Sequence, residues 1–302
     1  MLFRSEKTKL PEKLEEIGEG AFKNCKIKSV DLPSMLKSVG KEAFAWSGLI
    51  SVSLPSSLQC LSERMFAESH YLNEVTFAKG LREIGKESFY CCFGLNSVDI
   101  PEGVTSVADK AFAWCGAYKS FGSSYSCYNF RKVTLPSTLS TIGASAFSNC
   151  QVLQSINIPE GITEIQDNTF ECCYELSGII IPKGIKKIGN NAFSQNRSLK
   201  TITFSWNAPQ IDSKAFGDGR NFPGHTTSTC YYPSNNSVWT SSMLQNYGGK
   251  LTWVAKEMVK PSGGAESDTG NNNGSNNNGS NNNGSDRSEE RRVGKECRSR
   301  WS

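Results

Sequence analysis

The chain has 302 residues, of which 21% are charged and 37% hydrophobic, and its formal net charge is +4. This small positive charge does not provide the basic field that binds nucleic acid or an anionic membrane surface, and the chain has no apolar run of about 18 residues that would predict membrane insertion. It has two histidines, no C-x-x-C pair, and no G-x-S-x-G, P-loop or dinucleotide motif, so we expect no metal, no other cofactor and no catalysis.

One motif recurs along most of the chain, with the pattern L-P-x-x-L-x-x-I-G-x-x-A-F-x-x-C-x-x-L-x-x-V-x-L/I-P. Its phenylalanines are Phe22, Phe44, Phe66, Phe89, Phe112, Phe147, Phe170, Phe193 and Phe216. They are spaced by 22, 22, 23, 23, 35, 23, 23 and 23 residues. A fixed period of this length predicts a repeat solenoid, because a unit so small cannot bury its hydrophobic face alone.

Each repeat contains one predicted strand, the L-x-x-V-x-L segment, whose apolar positions alternate as in a half-buried strand. A proline such as Pro136 or Pro159 follows most of these segments and ends the strand, because it has no N–H to donate. The return limb carries I-G-x-x-A-F, as in Ile142 to Phe147, where we expect the glycine to permit a tight bend and the Ala and Phe to pack inward.

Stacking about nine such coils predicts one parallel sheet along one face, with each coil contacting only its neighbours. The outward positions of this sheet are the predicted binding surface, and from them we select Lys132, Thr134 and Asn157 as candidate partner-binding residues. The alternative is that these positions are simply solvated.

A 12-residue insertion within residues 116–129 interrupts the steady spacing. It is rich in Tyr, Ser and Gly, the composition of adaptable recognition loops, and insertions in solenoids often lie on the binding face. Its candidate partner-binding residues are Tyr118, Lys119, Phe121, Tyr125 and Tyr128. The alternative is that its aromatic rings fold back and cover the coils.

Five of the 11 cysteines follow the repeat phenylalanine by three residues, so we expect them to form a buried ladder. The coil spacing would also permit disulfide pairing, which stays open as an alternative. The ladder members are Cys25, Cys92, Cys115, Cys150 and Cys173.

The repeat array is predicted to occupy residues 1–227 and a C-terminal cap residues 228–259, with Trp239 and Trp253 shielding the last coil. No comparable protection precedes the first motif, so we expect further coils upstream. Residues 260–285, with three NNNGS units, form a predicted disordered linker. Residues 286–302 resemble the translation of a sequencing adapter, and we set them aside as an artefact.

The repeat resembles the BspA-like leucine-rich repeat family of bacteria and some protists, over residues 10 to about 255. The resemblance implies a secreted or cell-surface recognition and adhesion module, non-catalytic and monomeric, that binds a protein or glycan on a host or neighbouring cell. Two alternatives stay open: a targeting module of a larger secreted hydrolase, and an intracellular scaffold in the cytoplasm.

Overall fold

A computed structural model of the chain describes residues 7–116, 129–217 and 226–260. Nearly all of its regular structure is short β-strands. In chain order these are β1 (Lys7–Lys9), β2 (Glu16–Ile17), β3 (Ser29–Asp31), β4 (Ser38–Val39), β5 (Ser51–Ser53), β6 (Cys60–Leu61), β7 (Glu74–Thr76), β8 (Glu83–Ile84), β9 (Val98–Asp99), β10 (Ser106–Val107), β11 (Lys132–Thr134), β12 (Thr141–Ile142), β13 (Ser155–Ile156), β14 (Glu164–Ile165), β15 (Gly178–Ile181), β16 (Lys187–Ile188), β17 (Thr201–Phe204), β18 (Gln210–Ile211), β19 (Thr227–Pro233) and β20 (Lys250–Lys256).

The described strands pair in parallel in six short sheets, which follow one another in two rows along the coils, here called the face ladder and the return ladder, and this confirms the predicted repeat architecture. The face ladder contains the odd-numbered strands and β20, and it corresponds to the predicted L-x-x-V-x-L strands. The return ladder contains the remaining even-numbered strands, β2 to β18. The predicted parallel sheet on one face is therefore confirmed, and the return ladder is an addition that the sequence did not predict. Each return strand has only two residues, which is too short to show the alternation that marks a strand in sequence.

The repeat phenylalanines stack into a continuous column inside the coils. From Phe44 to Phe216 they are fully buried, and consecutive rings lie 5.1–5.8 Å apart. The Phe112 and Phe147 rings flank the insertion in sequence. Their centroids are 5.5 Å apart and their ring planes are nearly parallel. The coils on either side of the insertion therefore stack with the ordinary spacing.

The turn around each phenylalanine from Phe22 to Phe193 has two residues in the left-handed conformation, one two positions before and one two positions after the ring. In one coil these are Glu42 (φ 55°) and Trp46 (φ 57°). The N–H groups of Glu42, Phe44 and Trp46 donate to carbonyls of the next coil at 2.9–3.1 Å. This conformation was not predicted, although asparagine, which tolerates positive φ, recurs at the two positions as Asn24, Asn149, Asn168 and Asn191.

The glycine of the I-G pair is needed for a different reason than predicted. Gly40, Gly143 and Gly189 are not in the left-handed region, so no bend requires them. A Cβ on Gly40 would lie 2.7 Å from the carbonyl carbon of Gly18 in the coil below, and a Cβ on Gly143 would lie 2.7 Å from that of Ala108. Close approach of consecutive coils, and not a tight bend, explains these glycines.

The cysteine ladder is present, and its cysteines are free thiols. Cys92, Cys115 and Cys150 are fully buried, and each Sγ donates to the carbonyl of the phenylalanine in the preceding coil at 3.1 Å. Ser69 and Asn196 occupy the same position in other coils and donate to the same carbonyl. The position therefore requires a small buried donor, a role beyond that of the small hydrophobe expected from sequence.

Extra strands lie at both ends of the face ladder. At the start, β1 precedes the first motif and pairs with β3. The residues before the first motif, which the sequence did not predict to cover the first coil, therefore extend the face ladder. At the far end, the seven-residue strands β19 and β20 pair along their whole length. Beside them Trp239 packs between Phe204 (4.9 Å) and Trp253 (5.8 Å). The one helix in the described ranges is the 3-10 turn Ser241–Met243, and no described helix has the length and apolar character to cross a membrane.

Candidate recognition face

The face ladder carries a shallow depression of about 670 Å³ over β11, β13, β15 and β17. Outward side chains of these strands line it, because alternate residues of a strand point to opposite sides of a sheet. A smaller polar depression of about 330 Å³ lies over β3 and β5. The larger depression is the candidate functional site.

Three of the sequence-predicted residues line this depression: Lys132, Thr134 and Asn157. Lys132 is exposed on β11, with Ser97 and Ser155 as its cross-strand neighbours. The other five candidates, Tyr118, Lys119, Phe121, Tyr125 and Tyr128, lie outside the described residues.

The Asn157 amide is held in place by the backbone of the neighbouring coil. Its Oδ1 accepts from the Leu135 N–H at 2.8 Å and its Nδ2 donates to the Leu135 carbonyl at 2.9 Å. In other coils a backbone carbonyl performs part of this role, as when the Leu54 N–H donates to the Thr76 carbonyl. Asn157 therefore lines the depression with a side chain of fixed orientation, because its amide is hydrogen-bonded to the Leu135 backbone.

Most outward residues that line the depression are polar, and Ile180, which is 63% exposed, is the aliphatic exception. It stands beside Thr203 in the strand register. On the same strand Gly178 has no side chain, and the Thr201 Oγ1 occupies the space beside it, 2.7 Å from where a Cβ would lie. Ile180 therefore gives the depression an exposed aliphatic contact point beside the hydroxyl groups of Thr201 and Thr203.

The ionisable groups with large pKa shifts lie elsewhere in the coils. Burial raises the pKa of Cys91 and of Tyr90 to about 12, and it raises the pKa of the fully buried Cys150 thiol well above its ordinary value. Among the residues that line the depression, Lys132 is the one titratable side chain. In the described ranges, no group of three or more His, Cys, Asp or Glu residues is placed to hold a metal ion.

Sequence reasoning missed an aromatic cluster on the turns of the early coils. The His70 ring stacks on Phe93 at 4.7 Å and meets the Trp46 ring edge-on at 5.7 Å, and its Nε2 lies 3.1 Å from the Glu68 carboxylate. Trp46 is 48% exposed. The cluster could not be seen in the repeat pattern because its members come from consecutive coils at variable positions.

Comparison with protein families finds a match to the BspA type leucine rich repeat region, in six copies, over residues 3–119 and 120–243. Comparison with curated proteins finds no match.

Several solved bacterial structures are similar to this chain in fold. The leucine rich repeat protein TpLRR of T. pallidum is 24% identical, with 64% of this chain and 78% of that chain covered and a TM-score of 0.47. A leucine rich cell surface protein of Faecalibacterium prausnitzii is 22% identical, with 77% and 80% covered and a TM-score of 0.34. The pneumococcal vaccine antigen PcpA is 18% identical, with 85% and 80% covered and a TM-score of 0.37.

The family match extends over most of the described coils, and the motif, the parallel ladders and the phenylalanine column agree with it. The chain therefore belongs to the BspA-type leucine-rich repeat family.

Proposed function

We propose that this chain is a non-catalytic recognition module of a secreted or cell-surface protein, which binds a protein or glycan of a host or neighbouring cell through its face ladder. The depression over β11 to β17 is the observation that carries this proposal. It combines an exposed aliphatic side chain with polar side chains around it, an arrangement by which protein surfaces bind other molecules.

The preorganised surface supports binding by a rigid face. Stacked coils hold the outward side chains at a fixed strand spacing, and the Asn157 amide is locked by two hydrogen bonds. A rigid surface loses little conformational entropy when it binds a partner. The non-catalytic part of the proposal is supported by the lining of the depression, which offers one lysine and no acid–base pair.

Cell binding by labelled protein tests this function. Flow cytometry would compare the full chain with Ile180→Arg, which places a charge in the depression, and with Thr141→Arg, a matched change at an exposed position of the return ladder. We expect Ile180→Arg to reduce binding to epithelial or bacterial cells at least tenfold and Thr141→Arg to leave it unchanged. Equal binding by both variants, or no binding by the unaltered chain, would refute the proposal.

The alternative placements of the module, as a targeting arm of a secreted hydrolase or an intracellular scaffold, stay predictions. Neither is favoured by a contact in the described residues.

A further inference from the structure

Charge is distributed unevenly along the face ladder. Acidic residues on the outward side belong to the early strands: Asp31 on β3, Glu74 on β7 and Asp99 on β9. None of them lines the depression. The exposed residues Lys132 on β11 and Lys200 just before β17 instead place positive charge at the depression and its rim.

Among the described residues that line the depression, Lys132 is the one that is charged, and its ammonium group pairs with none of the described residues. Its recorded hydrogen bond is made by its backbone N–H, which donates to Ser97 Oγ at 3.0 Å. The nearby acid Glu175 accepts from the Gln154 amide at 2.9 Å. An uncompensated cation at the edge of a polar depression attracts an anionic group of a ligand.

Lys132 and Ile180 are the two proposed contact points, or anchors, of the depression. Ile180 lies on β15, with β13 between it and Lys132 on β11, and it is offset by two residues along the strand. Two strand steps and two residues along the strand place their Cα atoms roughly 12 Å apart. Alternate side chains of an extended peptide lie about 7 Å apart for i and i+2, and about 13 Å apart for i and i+4. A lysine side chain is long and flexible, so its ammonium group can move by several ångströms. An extended peptide can therefore contact Lys132 with one side chain and Ile180 with another side chain two to four residues away.

The lining favours a peptide over a sugar. Among the described residues that line the depression, none has an aromatic ring on which the apolar face of a sugar could stack, and the exposed Ile180 is one of them. An aliphatic group on the partner that packs against Ile180 removes apolar surface from water, and this burial favours the complex.

From these observations we infer that the depression binds an extended acidic segment of a partner protein, with an Asp or Glu of the segment pairing with Lys132 and an aliphatic residue two to four positions away packing on Ile180. This inference rests on the proposed recognition function and names the partner class of the same site.

Selection from a displayed library of random 12-residue peptides on the full chain tests the inference. Selected peptides would then be synthesised and their affinity measured by fluorescence anisotropy against the chain and its variants. We expect selected sequences enriched in Asp and Glu, each with an aliphatic residue two to four positions away. Their affinity should fall as NaCl concentration rises.

Three variants separate the possible outcomes. Lys132→Glu should weaken binding at least tenfold, Ile180→Ser should also weaken it, and Lys183→Glu, the same charge reversal at an exposed turn outside the depression, should leave it within twofold. Circular dichroism melting curves establish that all three variants fold.

Two results would overturn the inference while the recognition function stands. One is that Ile180→Ser weakens binding but Lys132→Glu does not, which would remove the acidic partner. The other is that no peptide is selected while glycans bearing sialic or uronic acid bind in a Lys132-dependent manner, which would replace the peptide by a sugar. If peptides are selected and none of the depression variants alters their binding, the proposed use of this face fails as well.

Discussion

Two glycines of the same motif position should respond oppositely to alanine. Gly18 lies in the first coil, and an added Cβ would meet no atom within 4 Å. Gly40 lies directly above it in the next coil, where an added Cβ would be 2.7 Å from the Gly18 carbonyl carbon and 2.8 Å from Glu19 Cα. Neither glycine is in the left-handed region, so alanine is not strained by backbone conformation at either position.

The magnitude follows from the distance by which the coils must separate. Ordinary contact with a Cβ begins at 3.4 Å, so Gly40→Ala requires a local shift of at least 0.7 Å between coils. Overpacking of this kind costs about 2 kcal/mol. The shift also strains the Gly40 N–H bond to the Ile17 carbonyl, which is 2.7 Å long. Other coils carry Ser62 and Ala108 at the equivalent position, so the backbone can adjust and the cost stays local.

Gly18→Ala should instead stabilise the chain by about 0.5 kcal/mol, because alanine restricts the unfolded state without a clash in the folded one. The free energies of unfolding of the two variants should therefore differ by roughly 2.5 kcal/mol, or about 1 M in urea midpoint.

Urea titration followed by both circular dichroism and tryptophan fluorescence measures this difference, with two probes because repeat arrays do not always unfold in one step. Equal midpoints for Gly18→Ala and Gly40→Ala would show that close approach between coils does not explain the motif glycine.

Three further predictions follow from buried rings, a hydrogen-bonded carboxylate and buried thiols. Phe147→Ala should lose about 4 kcal/mol of stability in the same titration, because its ring is fully buried between two stacked neighbours. Phe22→Ala, with one stacked neighbour and partial exposure, should lose less than half as much. Equal losses would contradict the view that burial and stacking within the column determine the contribution of each ring. Glu102 accepts hydrogen bonds that lower its pKa from 4.5, so it stabilises the fold above that pH and the effect is lost as pH falls through the lowered pKa; the stability difference between the chain and Glu102→Gln should be full at pH 6 and vanish in acid, and a difference that persists unchanged at pH 3 would refute this. Cys150 should resist alkylation in the folded chain, because it is fully buried and burial raises its pKa, while the partly exposed Cys25 should react first; mass spectrometry of peptides after brief labelling measures the order, and equal rates at both thiols would contradict the structure.

The part of the candidate site that sequence could predict is the part that strand periodicity controls. Alternation identified Lys132, Thr134 and Asn157 as outward residues of the face ladder, and all three line the depression. It could not show that the Asn157 amide is paired with the Leu135 backbone, because that pairing depends on the register between coils. The contrast of Ile180 with its polar surroundings became visible only when neighbouring strands were placed side by side.

By itself the sequence determined the coil length, the column of phenylalanines and the ladder of cysteines, because a periodic chain that must bury one face per repeat stacks the same residue on itself. Tertiary structure alone decided the second ladder, the left-handed turns and the role of Gly40, since each depends on how closely one coil approaches the next. Such distances are set by packing between coils, and no spacing within one repeat encodes them.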